Sequence, residues 1–320
     1  MARIGLRAVA APVHAPHAAA SLLGLLTLLV AGPAAASGEA PPRVISVPGG
    51  VLEVELDGRP PAGGPAELLA WVERSARAVA DYYGTFPVAR AHLRLGLRLG
   101  GGVGHGTARG GSVPRVDVQV GVDSSRAELD ADWVLVHELV HLGFPSVERR
   151  HHWMEEGLAT YVEPLARARA GLISREAAWV DLVDGLPKGL PGPGDEGLDA
   201  TPTWGRTYWG GALFWFVADV ELRRRSSGRV GLEDALRGIV GRGGTIGHLW
   251  SIGELLDAGD AATGRTVLRE LYERMALAPR APDLSSTWRH LGIARTRSGI
   301  AFEEGAPWSG IRDALTKRRP

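Results

Sequence analysis

Apolar and polar residues alternate from Val44 to Leu56, the pattern of a strand pair broken at Pro48-Gly49-Gly50. The spacing then changes: Leu68, Leu69, Val72, Ala76 and Val79 fall on one stripe, which predicts a helix from Ala66 to Tyr83. Alternation returns in Ala91 to Leu99 and in Val113 to Val122, two further strands. Between them, Gly100 to Gly106 lacks the G-x-G-x-x-G spacing and leads into a strand, so a flexible hairpin connection is expected there. Next, Leu129, Trp133, Val136, Leu139 and Val140 recur at helical spacing. Ser125 with Glu128 three residues on reads as a capping box that opens this helix, and Gly143 and Pro145 stop it.

Beyond residue 156 the pattern is mostly helical. Helices are expected over Leu158 to Ala170 with a kink at Pro164, Ser174 to Val183, Tyr208 to Arg225, Leu232 to Val240, Ile252 to Leu256 and Thr266 to Met275. The Pro-rich stretch Leu186 to Thr203 reads as a surface loop, placed to border a cleft because Tyr208 follows it. No internal repeat is visible. The fold class is α+β: a sheet lobe over 43–145 that ends in the helix at 125–143, then a helical lobe over 146–320.

The first 36 residues stand apart. Arg3 and Arg7 precede an apolar run from Ala18 to Val30 that ends in Ala34-Ala35-Ala36, and no acidic residue occurs before Glu39. This is the layout of a signal peptide, 1–36, followed by a linker, 37–42, around Pro41-Pro42. Export to the periplasm or the outside is expected, with membrane attachment only if the leader stays as an uncleaved anchor. With no cysteine in the chain the exported domain has no disulfide, so its core and any bound metal must hold it together. The 36 basic and 36 acidic residues cancel, and loss of Arg3 and Arg7 leaves a slight acidic excess. Such a balance predicts no nucleic-acid partner.

Chemistry enters at His137-Glu138-Leu139-Val140-His141. Histidines four apart lie on one face of a helix, where both imidazoles can reach one Zn²⁺ at roughly 2.0–2.1 Å. Glu138 is one step round that helix, placed to take a proton from zinc-activated water without being a ligand. A catalytic zinc usually takes three protein ligands and leaves one position open. Glu148, His151, His152, Glu155 and Glu156 follow closely enough to supply the third. The extended H-E-x-x-H-x-x-G-x-x-H pattern is excluded, because Phe144 and Val147 stand where Gly and His would be required.

Trp153 to Tyr161 reads W-M-E-E-G-L-A-T-Y. Together with H-E-x-x-H it resembles the W-x-x-E-G-L-A-x-Y signature of the gluzincin zinc peptidases, in particular the aminopeptidase N-like and glycyl aminopeptidase branch. The resemblance implies one zinc per chain, held by His137, His141 and Glu156, with Glu138 as base. It also implies a role for Tyr208, since Tyr208-Trp209-Gly210-Gly211 resembles the Y-x-x-G of that branch, whose tyrosine hydroxyl binds the oxyanion. His248 is the rival, because thermolysin-like members use a histidine for that step. Two departures stand out: the link from His141 to Glu156 is shorter than is usual in the branch, and no G-x-M-E-N segment, which would hold a substrate's free amine, precedes the helix.

The expected function is therefore hydrolysis of peptide bonds in a peptide or protein substrate by an exported, zinc-dependent enzyme. An aminopeptidase is the narrower variant, in which an acid such as Glu155 would hold the amine. From another class, the alternative is an exported binding or scaffold protein of the same fold without turnover. Retention of Glu138 speaks against it.

Overall fold

The computed structural model describes residues 42–317; the leader 1–36 and the linker as far as residue 41 lie outside the described residues. A five-stranded sheet is built from β1 (Arg43–Val47), β2 (Gly50–Asp57), β3 (Arg90–Arg98), β4 (Val103–Arg109) and β5 (Arg115–Gly121). Its order is β1-β2-β3-β5-β4, with β2, β3 and β5 mutually parallel and β1 and β4 antiparallel to their neighbours. The alternation read from the sequence sets the register. Leu56, Leu95, Val118 and Gly106 form one row across the strands, and Glu55, Arg94, Asp117 and Thr107 form the next. Successive side chains point to opposite faces, so the apolar row joins the core while the charged row faces solvent and pairs, as in Arg109–Asp117 at 2.7 Å. Helix α1 (Ala66–Tyr83) links the parallel strands β2 and β3 and covers the apolar face with Trp71, Val72 and Val79.

The expected flexible connection at Gly100 to Gly106 is corrected: from Val103 onward it is the edge strand β4. Glycines hide the alternation there because they leave room for other groups. A Cβ on Gly106 would stand 2.6 Å from Glu138 Cγ and 2.8 Å from Val134 Cγ1.

A second correction concerns the helix at 125–143, which is two helices. Ser125 and Glu128 do form the capping box, with Glu128 N–H donating to Ser125 Oγ at 3.2 Å and Ser125 N–H donating to Glu128 Oε2 at 2.8 Å. That helix, α2 (Arg126–Ala131), ends where Asp132 turns extended. The Asp132 carboxylate accepts the N–H groups of Val134 and Leu135 at 2.9 and 3.1 Å and so starts α3 (Val134–His141). An aspartate that captures the free N–H groups of a new first turn competes with continuation of the old helix. The break also leaves Trp133, one of the apolar residues at helical spacing, 53% exposed.

Downstream, α4 (His152–Arg169) begins a turn and a half before the expected Leu158, so the whole W-x-x-E-G-L-A-x-Y segment is helical, with Pro164 inside it. It is followed by α5 (Arg175–Gly185), α6 (Gly211–Ser226), α7 (Leu232–Gly241), α8 (Ile252–Thr263), α9 (Val267–Met275) and α10 (Leu284–Leu291). A hairpin of β6 (Ile293–Thr296) and β7 (Gly299–Phe302) then leads to α11 (Ser309–Thr316). The expected start of a helix at Tyr208 is a π-helical turn, Gly205–Gly210, leading into α6. Nor is Leu186 to Thr203 only a surface loop: Leu198 is buried and its N–H donates to Met275 O at 3.0 Å.

Helices α4 and α6 cross at Gly157 and Gly211, where a Cβ on either glycine would overlap the backbone of the other helix. Trp215 Nε1 donates to Met154 O at 2.9 Å across the same contact. The glycines of the two motifs thus let backbones approach, and the approach brings Glu156 near the turn that carries Tyr208. Core residues run without interruption from the sheet through α1 and α3 into these helices. No helix of the described residues is long and apolar enough to cross a membrane.

Candidate metal centre

His137 and His141 stand one turn apart on α3 with ring centroids 5.0 Å from each other. Glu156, from the first turns of α4, brings its Oε2 to 3.3 Å from His137 Nε2 and 3.8 Å from His141 Nε2. Among the described residues this is the one group of three or more His, Asp or Glu side chains whose ligand atoms converge, all within 4.8 Å of one another. Ligands at tetrahedral corners with bonds of roughly 2.0–2.1 Å stand about 3.3 Å apart, so the spacing and the N₂O donor set fit a zinc ion.

The electrostatics agree with that fit. Burial, with the neighbouring His137, lowers the His141 pKa to about 3, so its ring is neutral and offers a lone pair. Burial alone would raise Glu156, yet hydrogen bonding to His137 and His152 holds it well below the usual carboxylate range. It is an anion at any ordinary pH. Glu138 lines the same cavity of about 390 Å³ without joining the ligand group, and burial lifts its pKa.

The other third-ligand candidates stand outside the ligand group, although His152 and Glu155 also line the cavity. Glu155 Oε1 accepts the Val147 N–H at 2.9 Å, which pins the loop between α3 and α4. His152 lies on the solvent side of Glu156 at 3.3 Å, and hydrogen bonding to Glu155 and Glu156 raises its pKa to about 10. His151 is 2.8 Å from Asp199, a carboxylate that also accepts Trp153 Nε1–H at 2.8 Å. Glu148 pairs with Arg150 at 3.2 Å.

Tyr208 lines the metal cavity, and its pKa is raised by burial and by the charges of Glu156 and Glu138. The π-helical turn aims it there; such turns recur at functional sites. His248 is not among the residues that line the cavity and stands 3.2 Å from Thr245 Oγ1. Two groups at the site were not legible in the sequence: Trp133, whose ring packs edge-on against His137 at 5.6 Å, and His105, carried by β4 beside Glu138. The only available signal for His105 was its place in a glycine run that turns out to be a strand.

No family model matches the chain, and no curated protein does. Solved structures do. An aminopeptidase N family protein from Idiomarina loihiensis superposes with a TM-score of 0.61 at 15% identity, over 79% of this chain and 49% of that one. The fold is shared with that protein. An M1 zinc metallopeptidase from Deinococcus radiodurans matches with a TM-score of 0.49 at 20% identity, over 76% of this chain and 52% of that one. Native yeast LTA4 hydrolase gives 0.49 at 13% identity, over 76% and 40%. The chain spans about half the length, 49%, of the Idiomarina protein. At this level of identity the likeness establishes a common fold.

Proposed function

We propose that the chain is an exported zinc-dependent peptidase that hydrolyses peptide bonds, with zinc held by His137, His141 and Glu156 where a sheet lobe meets a helical lobe. The observation that carries this reading is the convergence of three ligand atoms within 4.8 Å with a fourth group, Glu138, on the same cavity but outside the ligand group. The shared fold with an aminopeptidase N family protein supports it. A bound zinc supplies Lewis acidity, enough to make water a nucleophile near neutral pH. Glu138 takes the proton from the attacking water and delivers it to the leaving amine. Tyr208, whose raised pKa keeps its hydroxyl protonated, donates to the oxygen on which negative charge develops. The edge strand β4 borders the cavity and pairs only with β5 among the described strands, so a substrate backbone can lie along its free side. Glu155 also lines the cavity, with one oxygen engaged by the Val147 N–H, so comparing free and N-blocked peptides separates an aminopeptidase from cleavage within chains.

The test is digestion of a peptide library by zinc-loaded protein, with Glu138→Gln as control. Cleavage by the wild type alone supports the reading. No cleavage by either, with zinc bound by both, favours a binding protein.

A further inference from the structure

A second cavity, of about 660 Å³, adjoins the metal cavity and shares Trp133, His137 and Tyr208 with it. Any group entering it therefore lies against a zinc ligand and the proposed oxyanion donor. Its walls are mainly apolar, with the ring of Trp209 and the side chains of Pro164 and Ala177, and the indoles of Trp133 and Trp204 stand at it, packed against His137 and Tyr208. Trp204 is 64% exposed and Trp133 is 53% exposed, among the few large apolar side chains so exposed in the described residues. Exposed apolar surface beside a cavity marks a place where something apolar binds.

The charges in this cavity are matched. Glu163 pairs with Arg167 at 2.7 Å, and Asp184 pairs with Arg295 at 2.9 Å. Lys188 Nζ lies 5.3 Å from the centre of the Trp209 ring, and burial raises the Asp181 pKa against the opposing charges of Arg167 and Lys188. The three acids Glu163, Asp181 and Asp184 thus stand against the three bases Arg167, Lys188 and Arg295, so no net charge of either sign rewards a charged guest, whereas the apolar walls reward a large one.

We propose that this cavity is a specificity pocket for a bulky neutral side chain, aromatic or large aliphatic, on one of the two residues that flank the cleaved bond. The proposal rests on the peptidase reading for its substrate. Trp204 and Ala177 are its specificity-determining residues, Trp204 at the exposed wall and Ala177 on α5, away from every ligand.

The test measures kcat/KM for peptides in which each flanking residue in turn is Ala, Leu, Phe, Lys or Asp. At one of the two positions Phe and Leu should exceed Ala, Lys and Asp by about 10- to 100-fold. Ala177→Trp, which fills the cavity, and Trp204→Ala, which removes a wall, should each bring the Phe-to-Ala ratio toward one. The second variant decides the matter if the first does not fold. Saturation-transfer NMR provides an arm without turnover: N-acetyl-phenylalaninamide should bind, N-acetyl-lysinamide should not, and Ala177→Trp should abolish the signal. Binding in this arm with no peptide cut would leave the pocket standing and sink the peptidase reading. Cleavage without a Phe or Leu preference, a preference for Lys or Asp, or a preference unchanged in both variants would overturn the pocket.

Discussion

Two clusters of buried charge, one on α6 and α7 and the other on α3 and α4, are built on opposite principles. In the first, Asp219, Arg223 and Glu233 are at most 1% exposed, and Arg223 donates to Asp219 at 2.8 Å and to Glu233 at 2.6 Å. Asp219 also accepts the Leu232 N–H at 2.9 Å and the Tyr161 hydroxyl at 3.1 Å. Each charge meets its opposite, with Arg169 3.6 Å from Glu233 as a second cation, and Asp219 is further met by a backbone amide and a phenol. In the second, His137, His141, Glu156 and Glu138 crowd two imidazoles and two carboxylates together, with no arginine or lysine among them. Burial drives His141 toward neutrality and lifts Glu138, as expected of groups whose environment does not settle their charge. A closed set of partners holds helices together. An open set, with lone pairs aimed at one point, calls for a cation.

That contrast can be broken from either side. The largest effect is expected at Glu138→Gln, which should cut hydrolysis by up to about 10⁴-fold while zinc content and melting temperature stay level. Burial already disfavours this carboxylate's charge, so its loss should not cost stability. Arg223→Ala should do the reverse. It takes the arginine from Asp219, leaves Glu233 with Arg169 at 3.6 Å, and should lower unfolding free energy by about 3–5 kcal/mol in urea titrations, with zinc affinity of the folded fraction unchanged. Tyr208→Phe comes next, with kcat and kcat/KM falling together by about 10²–10³-fold and the fold intact, because the hydroxyl is proposed to act on charge that develops in the transition state. A large loss in His248→Ala with normal Tyr208→Phe kinetics would transfer that role. The smallest effect is expected at Gly106→Ala. Its Cβ would press on Glu138 Cγ and displace the base, slowing turnover by about 10- to 100-fold while the ligands are untouched.

Much of this was legible beforehand because it rests on local periodicity. The α1 stripe and the β2, β3 and β5 alternation are set by side-chain direction, and the structure follows them nearly to the residue. His137, Glu138 and His141 could be grouped from a spacing of four. Glu156 could be singled out only by resemblance, because the α3 to α4 loop that carries it round is fixed by tertiary contacts such as Glu155 to Val147. What the sequence concealed has two causes. At β4 and at the α4 to α6 crossing, glycines act through neighbours distant in the chain, whereas at the break before α3 a capping aspartate acts on N–H groups two and three residues on. Gly106 makes room for Glu138, Gly157 makes room for Gly211, and Asp132 ends one helix to start another. The C-terminal elements α10, β6, β7 and α11 are too short, four to eight residues each, to carry a readable period.

The most direct test of the central claim is a zinc titration of metal-stripped wild type beside Glu156→Ala and Glu155→Ala. Wild type should bind one zinc per chain. Glu156→Ala should lose affinity by more than the roughly 10–100-fold that removal of an outer hydrogen-bond partner costs, and Glu155→Ala should lose less than that. The opposite order of the two variants, or a wild type that takes up no zinc, would contradict the account.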